Sequence, residues 1–301
     1  MAKLDPFHIM IVSQHFSNIS DFKNLERVHQ KYRGNMLKFH FNPIPLTPEI
    51  LPFFPNIETL NVWSLPAQFF NFYDIVKDSL PQKYFQEKKN TQQNYKSSKY
   101  NFYHLNIWYE VSYSCSLITA NGRISYKNVC LHKDERKGCG NKIPQNVRSL
   151  GYECFVCDRT LSEIEIPNSV TRLGHRCFFL CINLAKVVLP KTLKEIQVLC
   201  FSGCKSLKEI EIPETVETIG WNAFSGCEII SKVEIPGSVK ELKGWTFGGC
   251  VSLKEVVLNE GIEEIEKMAF INCDLKTVVI PRSVTYLENS AFDGNVMMLK
   301  N

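Results

Sequence analysis

The sequence predicts an α/β solenoid, a right-handed coil of about seven 23-residue repeats. Two observations carry this. Pro144, Pro167, Pro190, Pro213 and Pro236 fall 23 residues apart; Asn259 holds the next slot, and Pro281 follows 22 later. Phe155, Phe178, Phe201, Phe224, Phe247 and Phe270 keep the same period of 23, and Phe292 follows after 22. Two residue types share one period and one single-residue deletion, near Asp274, which marks a repeat rather than a compositional bias.

Each element of the repeat has a local reason. In the unit from Leu161 to Cys181, Ile164 and Ile166 alternate with Glu163 and Glu165, the period-two signature of a strand with one buried face. Pro167 ends that strand because it has no N–H to give to a ladder. Val170 and Leu173 form a second inward face. Cys177, Phe178 and Cys181 are expected to close the coil on a short helical turn. One unit alone cannot bury its apolar face, but stacked units can, so the Phe column becomes a continuous core spine.

The units from Leu207 to Cys227 and from Leu253 to Cys273 follow the pattern Leu-x-x-Ile-x-Ile-Pro-x-x-Val-x-x-Ile-Gly-x-x-Ala-Phe-x-x-Cys almost throughout. In this they resemble the BspA-like leucine-rich repeat family, and the resemblance covers about residues 141–295. Asn259 stands in a Pro slot, Asn295 in the last Cys slot, and Cys154, Cys177 and Cys200 in the Ala slot. The resemblance implies a leucine-rich-repeat coil that acts by binding proteins. Some members of the family are surface adhesins.

Residues 1–40 read differently. Ile9, Val12 and Phe16 are spaced as a helix face; Ser20-Asp21 offers an N-cap; Phe22, Leu25, Val28 and Tyr32 continue at helical spacing. The stretch is loosely similar to an F-box, a helical module that docks on the adaptor of ubiquitin ligases, and it also resembles the N-terminal region of amoebal members of the BspA-like family. It is read either as a helical cap on the open end of the solenoid or as that adaptor-binding module. Residues 41–140 hold divergent coils. Ile57 to Val62 repeats the leucine-rich text, and Leu105, Ile107, Tyr109 and Val111 alternate as another strand. A solvated insertion near 80–104, centred on Gln86 to Lys99, separates them. The regular solenoid is placed at 141–301.

Composition narrows the function. Apolar residues make up 44%, charged residues 22%, and the net charge is +4, so no nucleic-acid footprint is expected. The opening residues do not read as a secretory signal and no apolar run is long enough for a membrane span, which predicts a cytoplasmic protein. The 12 cysteines include a zinc-like quartet, Cys154, Cys157, Cys177 and Cys181. The repeat explains most of them instead. Cys154, Cys177 and Cys200 form one column at period 23, and Cys181, Cys204, Cys227 and Cys250 begin another. Reduced core thiols are therefore expected, with no metal and no cofactor. No catalytic motif stands out, and His175 reads as a variable surface position, so an enzyme is not expected.

The strand face supplies the candidate site. One outward slot runs Glu163, Lys186, Glu209, Lys232, Glu255, Thr277; the other runs Glu165, Val188, Glu211, Glu234, Val257, Val279. Partner binding is assigned to Lys186, Val188, Glu209, Glu211, Lys232, Glu234, Glu255, Val257 and Val279, and the apolar end at Val257 and Val279 is the strongest contact candidate. The expected function is a non-catalytic scaffold for a protein partner. The alternatives are a substrate receptor of a ubiquitin ligase and a surface adhesin. At the C-terminal end, either Val296 to Leu299 folds back on the last coil or self-association covers it.

Overall fold

The computed structural model describes residues 6–46, 49–63, 102–117 and 122–300. Most of the insertion expected near 80–104, including Gln86 to Lys99, lies outside them. Contacts divide the chain into two compact units, Met1–Asn128 and Val129–Asn301. Among the described residues no helix is long and apolar enough to cross a membrane.

The first unit opens with helices α1 (Pro6–Ser13) and α2 (Ile19–Val28). The N-cap of α2 is Asn18 and not the expected Ser20-Asp21: the Asn18 side chain accepts from the Asp21 amide at 3.1 Å. An amide oxygen three residues before a free N–H closes the first turn, and this leaves Ser20 and Asp21 inside the helix. The expected helical face also stops early. Val28 is exposed at the end of α2, and Tyr32 lies in a separate 3-10 turn, Gln30–Tyr32. Phe22 points inward. Its ring meets Phe16, Phe39 and Phe54 edge-on at 5.1, 5.8 and 5.3 Å. Behind it a parallel sheet joins Thr59–Val62, His104–Ile107 and Ile124–Tyr126. The divergent coils are thus stacked strands in register, Leu60 beside Leu105 and Leu105 beside Ile124. The second strand ends at Ile107 rather than running on to Val111, which starts a strand of its own, Val111–Ser112.

In the second unit the coils build two sets of parallel strand pairings. A first ladder is built from Glu163–Glu165, Lys186–Val188, Lys232–Ile235, Glu255–Leu258, Thr277–Ile280 and Met297–Lys300. A second runs through the two-residue strands from Ser149–Leu150 and Arg172–Leu173 to Tyr286–Leu287. Between them lies the Phe spine, with neighbouring rings stacked at 4.9 to 5.5 Å from Phe155 to Phe292. The spacing follows from the strand separation, which sets the rise of each coil at about 4.8 Å. At the N-terminal end of the spine, helix Lys133–Cys139 places the Arg136 guanidinium 4.3 Å over the Phe155 ring, and an ion pair with the largely buried Asp158 holds it there.

The first ladder is not continuous. It closes in three pairs: Glu163–Glu165 with Lys186–Val188, Lys232–Ile235 with Glu255–Leu258, and Thr277–Ile280 with Met297–Lys300. Residues 206–213 hold their place in the coil without forming a strand. Ile210 and Ile212 nevertheless stay buried, so the side-chain pattern survives where the ladder does not. A closed ladder would set Glu211 beside Glu234, a like-charge pair that opposes pairing. The later break falls at the one-residue deletion near Asp274, where the 23-residue register is lost. Asn259 works the other way: in the slot that proline holds elsewhere, its amide donates to the Ile235 carbonyl at 3.1 Å and lengthens the ladder by one bond.

The corner at the Phe spine is not the expected helical turn. The amides of Arg176, Phe178 and Leu180 donate to the carbonyls of Val198, Cys200 and Ser202 in the next coil, at 3.0, 2.8 and 2.9 Å. A helical turn would spend those amides inside itself. Turning every second amide toward the neighbouring coil goes with left-handed backbone on either side of each Phe from Phe155 to Phe270, for example at Arg176 and Leu180 and at Asn222 and Gly226. Gly226 has φ +70° and a Cβ there would meet nothing closer than 3.9 Å, so backbone conformation alone sets the cost of a side chain. Gly226→Ala is expected to lower stability by about 1–2 kcal/mol in chemical denaturation. An unchanged midpoint would show that the corner relaxes freely.

At the C-terminal end the chain folds back, and Met297–Lys300 pairs in parallel with Thr277–Ile280. Deleting residues 296–301 would strip that strand from Val278 and Ile280. The truncated chain is expected to associate, read as a rise in mass by light scattering. An unchanged mass would show that the preceding coil protects itself.

Candidate partner-binding surface

The residues assigned to partner binding lie on the outward side of the first ladder. Lys186, Glu209, Glu211, Lys232, Glu234 and Glu255 are all exposed. Lys232 and Glu255 pair at 2.6 Å, and the hydrogen bond to that carboxylate raises the Lys232 pKa. Glu234 accepts from the Asn259 side chain at 3.0 Å. Both ends of that pair of strands are therefore tied across the ladder. Exposed pairs of this kind contribute little to stability, so the column is a solvated surface before anything else.

The apolar members behave differently. Val188 is 43% exposed and Val279 42%, while Val257 is half-buried. The structure extends their column in a way the sequence reading missed. Leu299 pairs with Val279 and Met297 with Thr277, so the last strand adds Leu299 at 45% and Met297 at 62% exposure to the same face. The signal was present in the run Val296-Met297-Met298-Leu299, but its register on Thr277–Ile280 is set only by the backbone pairing. Because Glu209 and Glu211 sit in the gap of the ladder, the assigned residues do not form one sheet. They fall into a charged part and an apolar C-terminal part.

The cysteines are held by the repeat. The thiols of Cys181, Cys204, Cys227, Cys250 and Cys273 each donate to a phenylalanine carbonyl of the previous coil, from Phe155 to Phe247, at 2.9 to 3.4 Å. Burial pushes Cys181 and Cys273 up to about 12, and it also raises Cys204, Cys227 and Cys250. The quartet of Cys154, Cys157, Cys177 and Cys181 does not draw its sulfurs to within 4.8 Å of one another, and Cys157 faces solvent. A thiol-specific reagent near pH 8 is expected to modify Cys157 in the native protein and the buried columns only after unfolding, because the thiolate is the reactive form. Native labelling of Cys204 or Cys227 at the rate of Cys157 would overturn this assignment.

His175 is not the plain surface position expected of it. It is half-buried, stacks on Tyr152 at 5.5 Å, and lines a cavity on the second ladder with Trp221. A hydroxyl column was also missed. Thr192, Thr215 and Ser238 donate to the carbonyls of Val170, Leu193 and Val216 in the coil before, at 3.0, 2.8 and 2.6 Å. Ser or Thr recurs in the second slot after each repeat proline from Pro167 to Pro281, a periodicity that was legible but unused.

Stacked parallel strands around an inward column of leucine, isoleucine and phenylalanine define a leucine-rich repeat protein, with its variable residues on the outer faces. More narrowly, the chain belongs to the BspA-type leucine rich repeat family, whose model matches six copies over residues 138–202 and 171–298. A leucine rich cell surface protein from Faecalibacterium prausnitzii is similar in structure, at 28% identity over 51% of this chain and 43% of its own, with a TM-score of 0.46. A leucine-rich repeat protein of T. pallidum is 26% identical over 58% of this chain and 74% of its own, with a TM-score of 0.43. A leucine-rich repeat protein from Bacteroides ovatus is 24% identical over 51% and 55%, with a TM-score of 0.38. The match thus spans less than half of the F. prausnitzii chain. Among curated proteins none matches.

Proposed function

We propose that this protein is a non-catalytic scaffold that binds a protein partner through the outward face of its first ladder. The observation that carries this reading is the apolar column Val257, Val279 and Leu299, bordered by Met297, at one end of a face that is otherwise charged apart from Val188. Contiguous exposed apolar side chains rimmed by charge mark contact surfaces. The charged slots beside it, Lys186 and Glu209 through Glu255, supply orientation rather than affinity. A scaffold reading also accords with the thiols, which burial and carbonyl partners hold in their unreactive form. The column from Cys181 to Cys273 consists of thiols donating to carbonyls rather than of disulfides, which suits a reducing cytoplasmic setting.

A photo-crosslinking residue placed at Val279 in the full chain, within source cells, tests the site. Discrete protein adducts are expected from Val279 and not from Glu214, an exposed turn position. Equal adduct patterns from both positions, or none from Val279, would overturn the assignment of this face. Surface labelling of intact cells that captures the chain would overturn the cytoplasmic placement and favour an adhesin.

A further inference from the structure

The slot before each spine phenylalanine holds Cys154, Cys177 and Cys200 in three successive coils, and then Ala223, Thr246, Ala269 and Ala291. All of them are buried, so the slot takes a small side chain and packing does not call for sulfur. Hydrogen bonds between coils hold the three cysteines in register: the Phe155 and Phe178 amides donate to the Cys177 and Cys200 carbonyls at 2.7 and 2.8 Å. The thiol of Cys177 contacts the thiols of both neighbours, Cys154 and Cys200. The three sulfurs therefore stand in a line, one per coil, at the strand spacing of about 4.8 Å. This column is separate from the one running from Cys181 to Cys273, whose thiols are engaged by phenylalanine carbonyls. At its outer end Cys139, in helix Lys133–Cys139, is half-buried, and its thiol is close enough to Cys154 for the two to interact.

We propose that this column binds one monovalent copper ion in a straight two-coordinate link between the sulfurs of Cys154 and Cys177. The site is independent of the scaffold reading and lies inside the coil. Three features select the ion. The first is spacing: a metal–thiolate bond of about 2.3 Å, doubled in a line, spans about 4.6 Å, close to one coil rise. A tetrahedral ion such as zinc needs four ligands drawn round one point, and among the described residues no three sulfurs of this column come within 4.8 Å of one another. The second is the donor set, which is sulfur alone and favours Cu(I) over harder ions. Burial and the flanking thiols raise the Cys177 thiol well above its ordinary value, so only a cation with a strong bond to thiolate displaces its proton. The third is charge. Two thiol protons pass to solvent as Cu(I) enters, and no electron moves, so the bis-thiolate keeps one negative charge. The Cys200 thiol, on the far side of Cys177, donates its S–H to that thiolate.

The test incubates the full reduced chain, without oxygen, with the Cu(I)–glutathione complex, removes unbound metal by desalting, and reads copper content and X-ray absorption. One copper per chain with two sulfur ligands is expected. Cys177→Ala is expected to lose that copper and keep the parent's fold, because alanine fills the same slot at Ala223, Ala269 and Ala291. Should it fail to fold, Cys154→Ala gives the same reading from the second ligand. Cys200→Ala is expected to keep one copper but to yield it to a competing Cu(I) chelator about tenfold more readily, since a hydrogen bond to a charged sulfur is lost. Cys157→Ser, at the exposed thiol, is expected to match the parent. No retained copper in the parent, three or more sulfur ligands, parent-level copper in folded Cys177→Ala, or loss of copper in Cys157→Ser would overturn the proposal.

Discussion

Phe224→Ala is expected to lower the stability of the solenoid by about 3–5 kcal/mol, the range for large aromatic truncations in a packed core. Phe224 is fully buried and has ring neighbours on both sides, Phe201 at 5.3 Å and Phe247 at 5.0 Å. The backbone around it is also committed: its amide donates to the Thr246 carbonyl, and its own carbonyl accepts from the Cys250 thiol. The surroundings therefore cannot collapse into the cavity without breaking inter-coil hydrogen bonds. Phe292 has one ring neighbour, Phe270 at 5.0 Å, and is slightly exposed. Its truncation should cost clearly less. Repeat arrays unfold with limited cooperativity, so the comparison is best made by hydrogen exchange resolved along the chain. Equal losses at the two positions would count against a spine whose strength comes from stacking on both sides.

Phe22→Ser is expected to destabilise the first unit by a similar amount, about 3–5 kcal/mol, because a large ring is lost and a hydroxyl is left in an apolar site. Phe22 is fully buried among Phe16, Phe39 and Phe54. An adaptor-docking helix would need that side chain at its surface. If the variant keeps the parent's melting profile and loses only a co-purifying protein, Phe22 is a docking residue and the F-box-like reading of residues 1–40 gains. The expected loss of structure assigns Phe22 to the core of its own unit.

The division between legible and illegible follows particular residues. The Phe column, the alternating Ile164 and Ile166 and the strand-ending Pro167 were all readable, because each depends on where a residue points within its own coil. The cap of α2 was misplaced by two residues because Asn18, Ser20 and Asp21 are all competent acceptors, and only the path of the chain selects one. The corner at Arg176 to Leu180 read as a helical turn because its apolar spacing fits one. Its left-handed residues include Arg, Leu, Asn and Trp, and the glycines that hold one of its slots at Gly203, Gly226 and Gly249 were a periodic signal left unread.

By itself the sequence determined the period, the inward slots, the parallel stacking and the family. A residue's facing within a coil repeats every 22 or 23 positions and can be counted. The tertiary structure decided what passes between coils. It placed each thiol of the column from Cys181 to Cys273 on the phenylalanine carbonyl 26 residues back. It opened the first ladder at Glu209 and Glu211 and carried the apolar column on to Leu299. These contacts join residues a full coil or more apart in sequence but one strand spacing apart in space. A gap or a pair exists only when the side chain of the neighbouring coil is known, and a single repeat, read alone, does not contain its neighbour.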